Sequence, residues 1–247
     1  MKVLVAVPAL NEGAVLAQVL ESLATVHPLA DVVVVDDGSS DATAVIARAA
    51  GATVISHAIN LGVGAAMGTA FKYAARSGYD AVVQFDGDGQ HRPEHIAELV
   101  AALDEADVVI GSRYAKSGGY KSSAARRGVQ RLIARVASAY ARTRLTDATS
   151  GFRIAGPRAL AVFAQYYPVE WLGDTVESIV LATRQGLRVR ELPVGMNERV
   201  GGVPSQSVFR ATLYTGRILF ILGLASIRSV PPQVRGSRRP DGAKEAA

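Results

Sequence analysis

The densest chemistry in the sequence is the run Asp86-Gly87-Asp88-Gly89-Gln90-His91, which follows the apolar stretch Ala81–Phe85. Two carboxylates and the amide oxygen of Gln90 make an all-oxygen donor set. Such a set suits Mg2+ or Mn2+, with coordination positions left over for waters and phosphate oxygens. Glycine between the carboxylates lets the chain turn tightly and a diphosphate approach the backbone. A cation there would act as a Lewis acid, neutralising charge on a departing diphosphate. Taken alone, Asp-Gly-Asp reads equally well as an acidic turn before a helix at Pro93. Two other apolar runs end in the same way, one in Pro8-Ala9-Leu10-Asn11-Glu12 and one in Asp36-Asp37-Gly38-Ser39-Ser40-Asp41. Carboxylates gathered at neighbouring strand ends repel one another unless a cation or a basic ligand group lies among them.

The elements that must position these residues alternate in type. Val3–Val7, Val32–Val35, Thr53–Ser56 and Ala81–Phe85 read as strands. Helices are expected from about Ala14, Asp41 and Val63. Strand–helix alternation predicts a parallel sheet. The unbroken run Val32-Val33-Val34-Val35 is the pattern of a strand covered on both faces. The expected fold is therefore α/β, a doubly wound, mostly parallel sheet whose ligands bind at the carboxyl ends of the strands. After a strand at Val108–Gly111 come a helix over about Ser123 to Tyr140, a turn-rich segment from Asp147 to Phe152, and a helix from Pro157.

With 247 residues, 49% of them hydrophobic, the chain is expected to form one catalytic domain over residues 1–206 with a C-terminal extension. The absence of cysteine excludes disulfides, zinc–thiolate sites and a cysteine nucleophile. The N-terminus turns polar too early for a signal peptide, so export is not expected. The net charge of +5 is unevenly placed: no acidic residue lies between Asp107 and Asp147, where nine Lys or Arg side chains fall. Such a stretch calls for an anionic partner. With only three tyrosines among these residues and no nucleic-acid motif, nucleic acid is not the expected partner. The stretch Ser207–Ile227 is apolar with interspersed arginines, and its uninterrupted core, Ile218–Ala225, is too short to span a bilayer. A helix over 207–230 would lie in the membrane interface, meet a partner or pack on the core. Residues 231–247, rich in Pro, Gly and Arg, are expected to be disordered.

Other signals are weaker. Gly62-Val63-Gly64 through Gly68 has the spacing GxGxxxG after the third strand, which argues against a dinucleotide fingerprint and for a closely packed helix. His91 and His95 lie four apart without a nearby third metal ligand, and read as solvated or capping residues. Asp174 and Glu177 fit the start of a helix.

Together, Pro8 through Glu12, Val35 to Asp41, Asn60-Leu61-Gly62, Asp86 to His91, Gly111-Ser112-Arg113-Tyr114 and Asp147 to Arg153 resemble the family-2 glycosyltransferases. More narrowly, the sequence is similar to the dolichol-phosphate mannosyltransferase and polyprenyl-phosphate glycosyltransferase branch over about Lys2 to Gly202. The resemblance implies a GT-A fold, a nucleotide-sugar donor and a divalent metal. It sets Pro8, Asn11, Glu12 and Asp37 around the base and ribose, and Asp86, Asp88 and Gln90 at the metal and diphosphate. It also implies that Arg113 and Arg127, or Arg126 if the helix register shifts by one, bind an acceptor phosphate. Asp174-Thr-Val-Glu177, Glu191-Leu-Pro-Val194 and Arg199 to Ser205 match further motifs, with Arg199 on the donor side. Gln206 departs from the lysine that many relatives carry, and where many relatives have transmembrane hairpins this sequence has only the short apolar stretch near Leu219.

These expectations describe a cytoplasmic enzyme, peripheral to the membrane or docked on a membrane protein, that moves a hexose onto polyprenyl phosphate with inversion. An ionised phosphate acceptor needs no general base. A hydroxyl acceptor would need one, with Asp174 or Glu177 the candidate. A rival of another class is a non-catalytic nucleotide-sugar-binding subunit.

Overall fold

The computed structural model describes residues 1–114, 124–169 and 174–197. Arg199, the stretch Ser207–Ile227 and the tail 231–247 lie outside the described residues, as do the side chains of Arg126 and Arg127.

Seven strands form one sheet in the order β3-β2-β1-β4-β6-β5-β7. They are β1 (Val3–Ala9), β2 (Ala30–Asp36), β3 (Thr53–Ser56), β4 (Ala81–Gln84), β5 (Val108–Ser112), β6 (Arg153–Ala155) and β7 (Val189–Pro193). All pairings are parallel except those of β6, which runs antiparallel between β4 and β5. The helices are α1 (Leu16–Ala24), α2 (Thr43–Ala49), α3 (Val63–Arg76), α4 (His95–Ala101), α5 (Ala124–Ala141), α6 (Pro157–Phe163) and α7 (Asp174–Arg184).

Alternation along the strands divides the core into two layers. Leu4 and Ala6 of β1, with Val33 and Val35 of β2, pack against α3, α6 and α7. Val3, Val5, Val7 and Val34 face the other way, toward α1 and α4. Val33, Val34 and Val35 are wholly buried, as the continuous valine run predicts. Each such side chain contributes roughly 1.5–3 kcal/mol of burial. Helix α1 sends Leu16, Val19, Leu20 and Leu23 inward at the three-and-four spacing of one helix face. Helix α6 begins with Pro157 in its first turn, where the missing N–H costs nothing.

This arrangement puts the carboxyl ends of β1, β2, β4 and β5 along one edge. Because β6 is antiparallel, its amino end arrives at that same edge. The loop entering β6 therefore lies between the end of β4 and the end of β5.

Candidate active site

The loops after β1 and β2 are stitched together by short polar side chains. Asn11, at φ 54°, accepts the Ser40 N–H through its side-chain oxygen at 2.9 Å, and its own N–H bonds Ser39 Oγ at 2.9 Å. Thr43 Oγ1 accepts the Glu12 N–H at 2.9 Å, and Asp41 accepts the Gly13 N–H at 3.0 Å. Gly38 has φ +78°, and a Cβ there would sit 2.6 Å from the Ile59 carbonyl carbon, so only glycine fits this turn.

Asp37 lies at the predicted strand end but faces inward, 3% exposed. Its Oδ1 accepts from the Leu61 N–H at 3.0 Å and lies 2.7 Å from His57 Nδ1, while Oδ2 accepts from the Gly62 N–H at 2.7 Å. His57 Nε2 is 2.9 Å from Thr69 Oγ1 on α3. Asp37 thus holds the loop that starts α3. Two residues further on, Gly64 is pressed so closely by the Pro168 carbonyl that an added Cβ would lie 2.4 Å from it. Close packing accounts for this glycine-rich turn: Ala66, Met67 and Ala70 of α3 pack on Leu4, Ala6 and Val33 of the sheet, and Gly64 meets the Pro168–Val169 loop and Asp174.

At the end of β4, His91 is buried rather than solvated. Its Nδ1 accepts the Asp86 N–H at 3.0 Å, its Nε2 lies 3.5 Å from Asp86 Oδ2, and its ring stacks on Phe152 at 4.8 Å. Burial lowers its pKa, against the pull of Asp86 and Asp88, and so favours the neutral imidazole that accepting this bond requires. His95 is not purely solvated either, since its Nε2 accepts the Gly195 N–H at 2.9 Å. Asp86 accepts Gln84 Nε2 at 3.3 Å, and Asp88 accepts the Gln90 N–H at 3.1 Å. The left-handed glycine of this turn is Gly89, at φ +75°. Gly87 lies in the turn, as expected, and is also buried against Glu12 and the Pro8 carbonyl, so it joins the ends of β1 and β4.

At the end of β5 the charge is reversed. Arg113 forks onto Asp147, Nε to Oδ2 at 2.6 Å and Nη2 to Oδ1 at 2.8 Å, and Nη2 also reaches Thr149 Oγ1 at 3.3 Å. Asp147 is 2% exposed, and Glu191 of β7 fixes it by accepting the Asp147 N–H at 2.6 Å and the Thr146 N–H at 2.8 Å. At the other end of this loop, Gly151 lies so close to Asp86 that a Cβ would fall 2.4 Å from its Oδ2. The five residues from Asp147 to Gly151 therefore touch Arg113 at one end and Asp86 at the other, a span of at most roughly 14 Å.

Arg153, the first residue of β6, is buried. It donates to the carbonyls of Ser150 (3.0 Å) and Thr175 (2.8 Å) and to Ser178 Oγ (3.0 Å). Asp174 and Glu177 occupy the first turn of α7, as expected, but both are buried. Burial pushes the Asp174 pKa up to about 6, with Arg153 opposing the rise. Asp174 Oδ2 has no hydrogen-bond partner among the described residues.

A family model described as glycosyl transferase family 2 matches residues 4–161. The chain belongs to that family. An undecaprenyl-phosphate mannosyltransferase of Micrococcus luteus is 31% identical over 229 residues, 86% of this chain and 93% of the relative. A polyprenol monophosphomannose synthase of Mycolicibacterium smegmatis is 30% identical, covering 83% of this chain and 81% of its own. Among solved structures, glucosyl-3-phosphoglycerate synthase from Mycobacterium tuberculosis in complex with phosphoglyceric acid superposes with a TM-score of 0.70 at 21% identity. That match covers 94% of this chain and 81% of the other. The same synthase in complex with Mn2+, uridine diphosphate and glucosyl-3-phosphoglycerate gives 0.67 at 22% identity, over 92% and 81%. The fold of this family-2 glycosyltransferase is therefore GT-A.

Within it, Pro8, Glu12, Asp86, Asp88, Gln90, Arg113 and Asp174 gather along one sheet edge, while Asn11 and Asp37 build the adjoining loops. Arg127 lies in the first turn of α5. Reasoning from sequence gave no separate role to Asp147, Gly151, Arg153 or His57. The first three fall inside the Asp147-to-Arg153 motif, where Asp and Arg bracketing a Ser-Gly pair was the available signal; His57 carried none.

Proposed function

We propose that the chain transfers a hexose from a nucleotide diphosphate sugar, of the GDP-mannose or UDP-glucose type, to the phosphate of a polyprenyl lipid, with inversion at the anomeric carbon. The names of the two bacterial relatives support the acceptor class. The observation that carries the reading is the Asp147–Gly151 loop, which brings a carboxylate-bearing turn and an anchored arginine within one short span.

Asp86, Asp88 and Gln90 would hold Mg2+ or Mn2+, which supplies neutralisation of the departing diphosphate. Among the described residues no three His, Cys, Asp or Glu side chains form a metal site of their own. Two carboxylates and an amide instead fit an ion that shares its remaining positions with waters and ligand phosphates. Asn11 and Glu12, with Pro8 and the loop held by Asp37, line the donor side. The chain leaves β7 with the Asn197 N–H on the Gln90 carbonyl at 2.9 Å, and the donor role of Arg199 rests on the sequence motif alone.

Arg113 and Arg127 then hold the acceptor phosphate. That oxygen is already ionised at neutral pH, so alignment and leaving-group stabilisation carry the reaction. Residues 1–206 form the catalytic unit, and the enzyme works peripherally at the cytoplasmic membrane face, directly or through a membrane partner. No helix among the described residues is long and apolar enough to cross a membrane.

A second reading, a hydroxyl acceptor with Asp174 as base, draws on the raised pKa of that carboxyl and its unpartnered Oδ2. Incubation with a panel of nucleotide sugars, Mg2+ or Mn2+, and either polyprenyl phosphate or phosphoglycerate separates the two. A glycolipid identified by mass supports the proposal. Transfer to phosphoglycerate alone overturns it, and turnover undiminished by chelator removes the metal.

A further inference from the structure

Most described arginines flanking the sheet are paired. Arg113 meets Asp147, Arg158 and Arg188 meet Asp107, Arg190 meets Glu105, and Arg153 is surrounded by carbonyls. One group differs. Arg131, Arg135, Arg142 and Arg144 line a cleft of about 910 Å³ between α5 and the segment that follows it, and none of them forms an ion pair among the described residues.

The cleft is built into the fold. Arg131 and Arg135 are four apart and so share one face of α5, while Arg142 and Arg144 come from the segment just after it. Arg142, at φ 51°, turns the chain back along α5. Ser138 Oγ accepts the Leu145 N–H at 2.9 Å and pins the returning segment to the helix. Beside the arginines the lining mixes apolar Ala134, Ala139 and Leu145 with the hydroxyls of Ser138, Thr143 and Thr146, and no lining residue is acidic. Four like charges around one opening repel each other, and an anion relieves that repulsion. On the outer surface beside Arg131, Leu132 is 44% exposed. Arginines flanking an exposed leucine are the composition of a surface that meets an anionic lipid interface.

We propose that this cleft seats the headgroup of an anionic phospholipid and docks α5 on the membrane, separately from the acceptor phosphate at Arg113. The volume exceeds what a bare phosphate fills and lies in the range of small-molecule pockets. The chain's own C-terminal segment is a poor occupant, because residues 198–247 carry eight Lys or Arg against three Asp or Glu. The membrane setting rests on the lipid-acceptor reading, but binding is measured without transfer, so either idea can fail alone.

The test is flotation of the full chain with vesicles of phosphatidylcholine, with and without phosphatidylglycerol. The wild type should float only with phosphatidylglycerol. R131Q/R135Q and R142Q/R144Q should each lower partitioning by roughly 25-fold, at about fivefold per arginine. R131K/R135K should retain most of it. R48Q/R76Q removes the same charge from exposed positions elsewhere and should change little. Equal loss in R48Q/R76Q would reduce the effect to net charge and overturn the site. So would wild-type flotation of the quadruple glutamine variant, or equal binding to phosphatidylcholine alone. In detergent, all these variants should transfer sugar to polyprenyl phosphate as the wild type does.

Discussion

The ends of β4 and β5 solve opposite electrostatic problems with the same device. At β4 a carboxylate, Asp86, is steered by a buried imidazole and an amide, leaving negative charge at the strand end that would meet a cation under the proposed function. At β5 a guanidinium, Arg113, is steered by a buried carboxylate that is itself fixed by a strand residue. Each functional charge is held through a second group that is more buried than itself. Positioning and ligand binding are thereby separated, and each end can be disturbed in either respect.

Asp88→Ala attacks ligand binding at β4 and should have the largest effect, a loss of transfer on the order of 10³-fold or more. The melting temperature should barely move, because no core volume is removed. Activity within tenfold of wild type would break the assignment of β4 to the metal. Gly151→Ala attacks positioning at the same strand: its Cβ would lie 2.4 Å from Asp86 Oδ2 and must displace the carboxylate. A displacement near 1 Å lowers activity by about 10²-fold. Isothermal titration should show weaker Mn2+ binding in parallel, and unchanged binding would detach the loop from the metal.

At β5, Arg113→Ala should weaken acceptor affinity by roughly tenfold to a hundredfold and leave donor affinity alone. It also strands Asp147, 2% exposed, and should lower stability by about 3 kcal/mol. Adding Asp147→Asn should restore much of that stability but not the acceptor affinity. If the double variant recovers both, Arg113 acts only as a strut. Arg113→Lys should recover part of the affinity, since a point charge replaces a planar fork.

The smallest effect concerns Asp174. Its pKa is raised from 3.8 to about 6, so between those values the folded chain keeps a proton that the unfolded chain releases. Stability therefore falls as pH rises through that window, and the ionised carboxylate costs up to about 3 kcal/mol at neutral pH. Asp174→Asn should melt higher than wild type at pH 7 and lose its advantage near pH 4. A hydroxyl-acceptor enzyme would also lose its activity with this change; a phosphate-acceptor enzyme would not lose its chemistry for want of a base.

Strand ends were legible because an apolar run followed by Asp, Gly and Ser has few other foldings, and Val3–Ala9, Ala30–Asp36 and Ala81–Gln84 lie where that pattern sets them. Helix α3 starts at Val63 as expected, since Gly62 breaks what precedes it. Strand β6 was not legible: three residues carry no periodicity, and its antiparallel direction is fixed by tertiary pairing with β4 and β5. The burial of Arg153 and His91 was hidden for a related reason. A polar residue in a turn-rich segment reads as solvated, and only the packing of Phe85 and Phe152 around His91 reverses that.

Gly62, just before α3, is wired to Asp37, and Gly64, in the first turn of α3, is seated against Pro168 and Asp174. For anyone engineering the enzyme toward a different sugar nucleotide, that turn is a fixed axle rather than a tunable part. A side chain at Gly62 strains a φ of +93°, and one at Gly64 pushes on the Pro168 carbonyl and Asp174, so a library varied there should return mostly inactive chains. The adjacent Ile59 and Leu61 are 66% and 51% exposed, and that is where a library has room to vary.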